Sequence, residues 1–346
     1  MANRVSVPQS EMKEKIMAVM TNLGVPEKDA DIFSDTLIDA EITGVESHGI
    51  TRMKAYADRI LSGALNPTGD IKLDVRGNVV SVDAGNGFGQ IATTRAYEKC
   101  IEIAKESGIA CAGIYNSNHL GACAYYANKI AEQGCIAFVA SDCAPAVAPF
   151  GGLTPLLGTN PIGIAFPAKD QTFCIDMSTS ASAKGKIRIY GRKGLQIPVG
   201  WGCDAEGNDT TDPWAVLDGG TLMPMGGHKG YGLSMMVDVL SALLTGAGLS
   251  YQTVTLLNPN GKSNYGHFVC VIDIEHFLPL DEFEQRAQDW FEMIKASKPR
   301  PGMKIMIPGE PEDIARAKAA ETQEVNLLEG TMDIVNEYYE KYGKKQ

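Results

Sequence analysis

Helical periodicity at both ends of the chain encloses a middle built from short β-branched runs. Apolar residues recur at helical spacing in three segments that begin near Ser10, Pro26 and Ser47. From about Ile71 the period becomes that of strands, in runs such as GIACAGIYN and CIAFVAS that end at Gly, Pro or Asn. Helical patterns return from about Leu280. The pattern predicts a mixed α/β fold in which the helical ends pack together around a sheet.

This organisation predicts two structural units. Residues 1–70 plus 280–346 form a helical domain that carries the segment around His48, and residues 71–279 form a mixed-sheet domain. A chain of 346 residues is long enough to give each unit a core of its own. No internal repeat interrupts this division.

The charge balance excludes two classes of partner. Lys and Arg number 31 against 42 Asp and Glu, a net charge of -11, and neither nucleic acid nor an anionic membrane surface attracts such a chain. The most apolar helical stretch, LSMMVDVLSALL, is too short to span a bilayer. Glycine is enriched, at 37 residues, and clusters where a backbone would approach a ligand. The composition favours an enzyme for a small anion, with positive charge placed locally.

The cysteines indicate a reducing compartment. None of the eight forms a C-x-x-C pair, and most lie inside apolar runs such as HFVCVIDI, so buried free thiols are expected. The N-terminal MANRVSVPQSEMKEK contains no apolar signal core. We therefore expect a cytoplasmic protein.

The motif GNGFGQ at 85–90 resembles a dinucleotide fingerprint but does not satisfy it. That fingerprint needs glycine at its sixth position, where this chain has Gln90, and an acidic residue about twenty residues on, where it has Ile109 and Ala110. We predict a glycine-rich turn between a strand and a helix. A nucleotide bound by this chain is not bound by a Rossmann turn.

His48 begins the first candidate site, in ESHGITRMKAY. On a helix, His48, Arg52 and Tyr56 would share one face because they are four residues apart. Arg52 can hold a carboxylate with two hydrogen bonds while His48 transfers a proton. The alternative is a solvated helix face with an incidental histidine.

His119 lies between a predicted strand and a predicted helix, in YNSNHLGA. Such a junction presents backbone N–H groups and the positive end of a helix, which together bind anions. The alternative is a capping loop with a polar histidine. A metal site with Cys123 lacks further ligands, and none is predicted.

Two later segments can contact a nucleotide. Asp176 ends a predicted strand and precedes hydroxyl side chains at 178–180, which can orient an imidazole or bind a ribose or phosphate. His228 and Lys229 lie between glycines just before a long helix, where a lysine can contact phosphate.

Six motifs occur in an order that resembles one enzyme family. ESHGITR, NSNHLGA, APAVAPFGG, GTNPIGIAFPA, DMSTSASAKGKI and GGHKGYGLSMMVDVLSALLTGA together resemble the malate/L-lactate dehydrogenase-like family, which lacks a Rossmann fold. The sequences of these motifs are most similar to those of the archaeal malate and sulfolactate dehydrogenases of the family. The resemblance implies a non-Rossmann nicotinamide-binding sheet domain flanked by helices, a homodimer, and NAD or NADP without a metal.

The resemblance also implies roles for individual residues. His48 would give the proton to the 2-oxo group, and Asp176 would pair with it. In some relatives the histidine that matches His119 is the proton acceptor, and we prefer His48 because Arg52 follows it closely. The implied substrate contacts are Ser47, Arg52, Tyr56 and Thr159. The implied cofactor contacts are His119, Gly121, Asp176, Met177, Ser178, Thr179, Ser180, His228, Lys229, Gly230, Gly309 and Glu310.

The expected function is reversible hydride transfer between nicotinamide C4 and C2 of a 2-hydroxy acid such as malate, lactate or sulfolactate. A cyclic imino-acid reductase on the same scaffold is the first alternative, and a non-catalytic nucleotide-binding protein is the second. This chain has Asp142 and Cys143 where relatives often have Asn and Ser, which puts one cofactor contact in question.

Overall fold

The computed structural model describes residues 3–344. Its helices are α1 Gln9–Asn22, α2 Glu27–Ile42, α3 Met53–Leu61, α4 Gly89–Ser107, α5 Cys123–Ala131, α6 Lys184–Arg192, α7 Pro213–Leu217, α8 His228–Asp238, α9 Leu280–Ala296, α10 Glu310–Thr322 and α11 Glu329–Tyr338. Its strands are β1 Arg4–Pro8, β2 Lys72–Arg76, β3 Val79–Asp83, β4 Ile109–Ser117, β5 Cys135–Ser141, β6 Ile162–Pro167, β7 Thr172–Met177, β8 Gly202–Cys203, β9 Thr221–Leu222, β10 Tyr265–Asp273 and β11 Glu324–Leu328.

The central sheet has the order β2-β3-β4-β10-β5-β6-β7. Only β3 and β4 run parallel among these neighbours, because α4 returns the chain across the sheet between them. The other pairs are antiparallel, which separates this sheet from the doubly wound parallel folds. α4 and α5 bury small residues and Tyr126 against one face of the sheet. The predicted mixed α/β, non-Rossmann class is confirmed.

The two chain ends meet through a pair of short strands that the helical periodicity did not predict. β1 pairs antiparallel with β11, with Arg4 opposite Leu328. Behind this pair, α1, α2, α3 and α11 enclose an apolar core in which Ile16 and Phe33 are fully buried. Burying side chains of this size contributes roughly 1.5–3 kcal/mol each. This core supports the segment that follows α2.

The two-unit division stays a prediction, and the structure differs from it in detail. α9, assigned above to the helical unit, packs Phe291 against Phe166 and Phe173 at the outer strands of the sheet. Its apolar face is covered there, because Phe166 and Phe173 present stacked rings at the sheet edge. The chain between β7 and α8 contributes to a further small core, in which Ile187 of α6 and Val216 of α7 are buried. The pattern of apolar residues in the sequence does not reveal this core, because its strands β8 and β9 have only two residues each.

The glycine-rich turn at 85–90 joins β3 to α4, as predicted. A side chain at Gly89 would collide with the carbonyl of Asn118, so the turn lies directly under the next loop. Asn118 donates hydrogen bonds to the carbonyls of Asn86 (2.9 Å) and Gly87 (2.8 Å). The turn therefore supports the loop that carries His119.

All eight cysteines are free thiols, five of them buried and three half-buried. Within residues 3–344, every helix is too short or too polar to cross a bilayer.

Candidate active site

A cavity of about 1170 Å³ brings most of the predicted site residues together. Its wall is built from the segment after α2, the loop after β4, the end of β7, the start of α6 and two loops near residues 255 and 308. Predicted residues that line it are Ser47, His48, Arg52, His119, Gly121, Thr159, Asp176, Met177, Ser178 and Gly309. These residues are far apart in sequence, and the fold places them around one volume.

The segment that carries His48 and Arg52 is not the continuous helix that the spacing predicted. Two 3-10 turns, Glu46–His48 and Ile50–Arg52, are separated by Gly49 in extended conformation, and α3 begins only at Met53. The side chain of Glu41 accepts a hydrogen bond from the Ile50 N–H (3.0 Å), and a Cβ at Gly49 would collide with that carboxylate. The buried carboxylate of Glu41 thus fixes the bend between His48 and Arg52 and explains why the helix cannot continue.

Glu41→Gln should change how stability depends on pH. Burial raises the pKa of the Glu41 carboxyl from 4.5 to about 7, so the folded chain holds this proton more tightly than the unfolded chain. The stability that this group contributes is present below pH 4.5 and is lost as the pH rises to about 7. Gln keeps an oxygen for the Ile50 N–H and cannot ionise.

Between pH 6 and pH 8, we expect the free energy of unfolding to fall by about 1 kcal/mol more in the wild type than in Glu41→Gln. Denaturant titration at the two pH values measures the difference. An equal fall in both proteins would mean that Glu41 is already ionised in the folded chain at pH 6.

Arg52 is oriented for an anion. Its Nε donates to the carbonyl of Ser47, and its two terminal nitrogens have no hydrogen-bond partner within residues 3–344. Burial lowers the pKa of the guanidinium, the Tyr56 hydroxyl raises it, and the charge of Arg188 lowers it further. The result is a planar pair of free donors that faces the cavity and matches a carboxylate.

Three neighbours fix the proton of His119. The Gly121 N–H donates to its Nδ1 (3.2 Å), the Tyr56 hydroxyl lies 2.8 Å from the same nitrogen, and Gln90 donates to that hydroxyl (2.6 Å). Because a backbone N–H can only donate, Nδ1 is an acceptor and the proton of the neutral ring lies on Nε2. Tyr56, predicted as a substrate contact, is fully buried behind His119 and orients this ring instead.

His48 and His119 are stacked, with ring centroids 5.2 Å apart and planes inclined by 23°. The Ser47 hydroxyl lies 2.9 Å from Nδ1 of His48. Burial, with the charge of Arg52 as a second cause, lowers the pKa of His48 to about 4. Burial and the charges of His48 and Arg52 depress the pKa of His119 well below 6.5. At neutral pH both rings are therefore neutral.

Asp176 lies at the end of β7 but does not pair with His48, contrary to the expectation. Its carboxylate accepts hydrogen bonds from the first N–H groups of α5, at Cys123 and at Ala124 (2.7 Å). Burial raises the pKa of this carboxyl to about 6, and the two backbone hydrogen bonds oppose the rise. A helix start attracts a carboxylate strongly, and Asp176 caps α5 while facing the cavity.

Of the other expected cofactor contacts after β7, some line the cavity and others are buried behind its wall. Met177 and Ser178 line the cavity, whereas Thr179 is buried and bonds to the carbonyls of Thr159 and Asn160. Ser180 is also buried and donates to the Ser182 carbonyl. Residues 176–178 thus face the cavity, and residues 179 and 180 turn into the protein and support them.

The segment at 228–230 and Glu310 lie outside the cavity wall. His228 and Lys229 are exposed at the start of α8, with His228 against Phe150, and Gly230 is buried against the Met225 backbone. Glu310 forms ion pairs with Lys295 (3.0 Å) and Lys304 (3.5 Å).

Asp142 and Cys143 are the two residues for which the resemblance implied Asn and Ser. Asp142 is fully buried, and its carboxylate accepts from the Gly266 N–H (2.8 Å). Burial raises the pKa of this carboxyl well above 3.8. Cys143 lines the cavity, and its thiol lies within hydrogen-bond distance of Thr159.

The sequence prediction missed four residues that shape the site. Gln90 and Asn118 hold the His119 loop, and Lys184 and Arg188 line the cavity from α6. Gln90 was noticed only as the residue that breaks the dinucleotide motif. Within residues 3–344, no group of three or more His, Cys, Asp and Glu side chains is arranged to hold a metal ion.

Comparison with known proteins gives a consistent family. The model of the malate/L-lactate dehydrogenase family matches residues 7–336. A malate dehydrogenase of Pyrococcus horikoshii is 44% identical over 317 residues, which cover 89% of this chain and 88% of the relative. A Δ1-pyrroline-2-carboxylate/Δ1-piperideine-2-carboxylate reductase of Pseudomonas putida is 37% identical, covering 84% of this chain and 86% of the relative.

A solved structure agrees with the sequence relatives. The sulfolactate dehydrogenase of Methanocaldococcus jannaschii superposes with a TM-score of 0.93 at 34% identity, covering 98% of each chain. Both the predicted oxidoreductase class and the predicted family are confirmed: the chain belongs to the malate/L-lactate dehydrogenase family.

Proposed function

We propose that the protein is an NAD(P)-dependent 2-hydroxy-acid dehydrogenase for a malate- or sulfolactate-like substrate. The observation that carries the proposal is the stacked pair of neutral histidines beside Arg52, whose terminal nitrogens face the same cavity. This arrangement supplies a carboxylate clamp and a proton carrier for one small molecule. The relatives support the same substrate class, since they are named malate and sulfolactate dehydrogenases.

Each residue of the cluster has a distinct part. Arg52 binds the 2-carboxylate through two parallel hydrogen bonds. His48 gives a proton to the C2 oxygen when the oxo acid is reduced and takes it back when the hydroxy acid is oxidised. His119, whose proton is fixed on Nε2, donates a hydrogen bond to the same oxygen.

Substrate binding assists protonation of His48. The charge of Arg52 is one cause of the low pKa of His48. A bound carboxylate neutralises that charge, so the pKa of His48 rises when the oxo acid is present. The proton is therefore taken up together with the substrate.

The size of the cavity supports a nicotinamide dinucleotide bound beside the acid. Its volume of about 1170 Å³ exceeds the roughly 300–1,000 Å³ of a pocket for one small ligand. Gly121 and Gly309 line it at φ values of 89° and 94°, where a side chain would be strained, so bare backbone faces the ligand. Asp176 and Ser178 offer partners for ribose hydroxyls. The bound nicotinamide supplies or accepts the hydride.

A substrate panel tests the proposal. The protein is incubated with NADH or NADPH and with oxaloacetate, 3-sulfopyruvate, pyruvate or piperideine-2-carboxylate, while the absorbance of the reduced nicotinamide is followed. We expect oxidation with oxaloacetate or 3-sulfopyruvate. Oxidation with the cyclic imino acid alone would favour the imino-acid reductase, which the Pseudomonas putida relative keeps open. Cofactor binding without turnover of any acid would favour a non-catalytic protein.

We also propose a homodimer. α8 and the turn that follows it expose large apolar side chains: Leu233, Met235, Met236, Leu243 and Leu244, which are 42–66% exposed. A contiguous apolar surface of this kind is typical of an interface between copies. Light scattering should give twice the 37.1 kDa of one chain. Leu244→Asp should lower that mass, and a wild-type mass of one chain would contradict the proposal.

A further inference from the structure

Three cations line the cavity without an acidic partner. Arg52, Lys184 and Arg188 form no ion pair with any carboxylate in the part of the chain that the structure describes. The remaining arginine of the wall, Arg316, differs because Asp39 holds its guanidinium at 2.8 and 3.1 Å. Unpaired cations grouped around one cavity indicate an anionic ligand.

These cations are close enough to interact. The charge of Arg188 contributes, after burial, to the lowered pKa of both Arg52 and Lys184. Lys184 and Arg188 are one helical turn apart on α6, where like charges repel by a few tenths of a kcal/mol, about 0.2–0.5. A negative group between α6 and Arg52 would relieve this repulsion.

The carboxylates of the wall do not supply that charge. Asp39 is committed to Arg316, and Asp176 is committed to the N–H groups of α5. Glu312 lines the cavity beside Pro311, at the start of α10 and near Arg316 rather than on α6. One substrate carboxylate can neutralise the charge of Arg52 but leaves Arg188 and Lys184 without an anionic partner.

The fold holds α6 in a defined orientation. Ile187 is fully buried in the small core, which fixes which face of the helix points to the cavity. Lys186 lies on another face, with its Nζ 4.8 Å from the ring centre of Trp201. Lys184 and Arg188 line the cavity, and Lys186 does not.

We propose that Arg188, assisted by Lys184, is the residue that binds the second acidic group of the malate- or sulfolactate-like substrate and sets the preference for it. The proposal rests on the proposed function, and it separates carboxylate or sulfonate substrates from acids with an uncharged end. The two anionic ends would be held by Arg52 and Arg188. C2 would then lie beside the stacked histidines.

Arg188→Gln tests the assignment, with Lys186→Gln as the control that removes the same charge from the same helix. Turnover is measured with oxaloacetate, 3-sulfopyruvate and pyruvate at saturating cofactor. We expect kcat/KM for the two dianions to fall about tenfold, roughly the contribution of one charged hydrogen bond, while pyruvate changes less than about twofold. Comparison of oxaloacetate with 3-sulfopyruvate tells whether the second group is a carboxylate or a sulfonate.

Several results would overturn the assignment. One is an equal loss of kcat/KM for pyruvate and for the dianions in Arg188→Gln. The others are the same change of selectivity in Lys186→Gln, or an effect of Arg188→Gln that is confined to a higher KM for the cofactor. Arg188→Lys, which keeps the charge, should retain most of the dianion preference and guards against a folding defect in the Gln variant. A wild type without turnover of any 2-oxo acid would instead reject the proposed function, which is a different outcome from unchanged selectivity.

Discussion

Arg52→Lys should lower kcat/KM for every 2-oxo acid by about 10²- to 10³-fold, because a single ammonium cannot replace two parallel hydrogen bonds to a carboxylate. The Ser47 carbonyl holds Nε of Arg52 and aims both terminal nitrogens into the cavity, whereas a lysine at this position has no such anchor. The loss should appear in kcat as well as in KM, since the clamp also sets the position of C2 beside His48.

Arg95→Lys is the matched control for this change. Arg95 lies on α4, away from the cavity wall, and forms ion pairs with Asp29 and Glu98. Its replacement should leave kcat/KM unchanged. Steady-state kinetics with oxaloacetate and a fixed cofactor concentration measure both variants. An unchanged catalytic efficiency in Arg52→Lys would remove Arg52 from the substrate site.

His48→Gln should lower kcat by about 10²- to 10⁴-fold, the usual contribution of a positioned general acid or base. We favour His48 over His119 for this part, because the neighbours of His119 fix its proton on Nε2, whereas Nδ1 of His48 lies beside the Ser47 hydroxyl, which can donate or accept. His119→Gln should reduce kcat by a smaller factor, roughly tenfold to a hundredfold, through the lost hydrogen bond.

The pH profile distinguishes the two histidines. In the plot of kcat against pH, one limb reports protonation of the catalytic general acid. This limb should vanish in His48→Gln and remain in His119→Gln. His276→Gln serves as the control, because His276 pairs with Asp273 (2.7 Å) and lies outside the cavity wall. A profile lost in His119→Gln and kept in His48→Gln would reverse the assignment.

Local patterns predicted the elements of this fold well. The long strands of the sheet, such as β4 and β10, coincide with β-branched runs bounded by turn residues, and α1 and α2 coincide with apolar stripes. The failure of the 85–90 motif also predicted correctly that its glycines form a turn between a strand and a helix. These features depend on residues close in sequence, which is why one chain reveals them.

Features that depend on tertiary contacts escaped prediction. Spacing placed His48 and Arg52 on one helix, but Glu41 captures the Ile50 N–H and bends the backbone at Gly49. Asp176 was expected beside His48, and the start of α5 binds it instead. Arg188 has no motif at all, and only its position on the cavity wall identifies it.

In the proposed reaction, hydride passes directly between C2 of an acid held by Arg52 and a bound nicotinamide. Oxidation of 2-deuterated malate, as both enantiomers, with NAD or NADP in ordinary water tests this claim by mass spectrometry of the reduced cofactor. We expect one deuterium on the cofactor for each malate oxidised. Release of the deuterium to water during the oxidation would contradict direct transfer, and so would a lack of oxidation of both malate and sulfolactate with either cofactor.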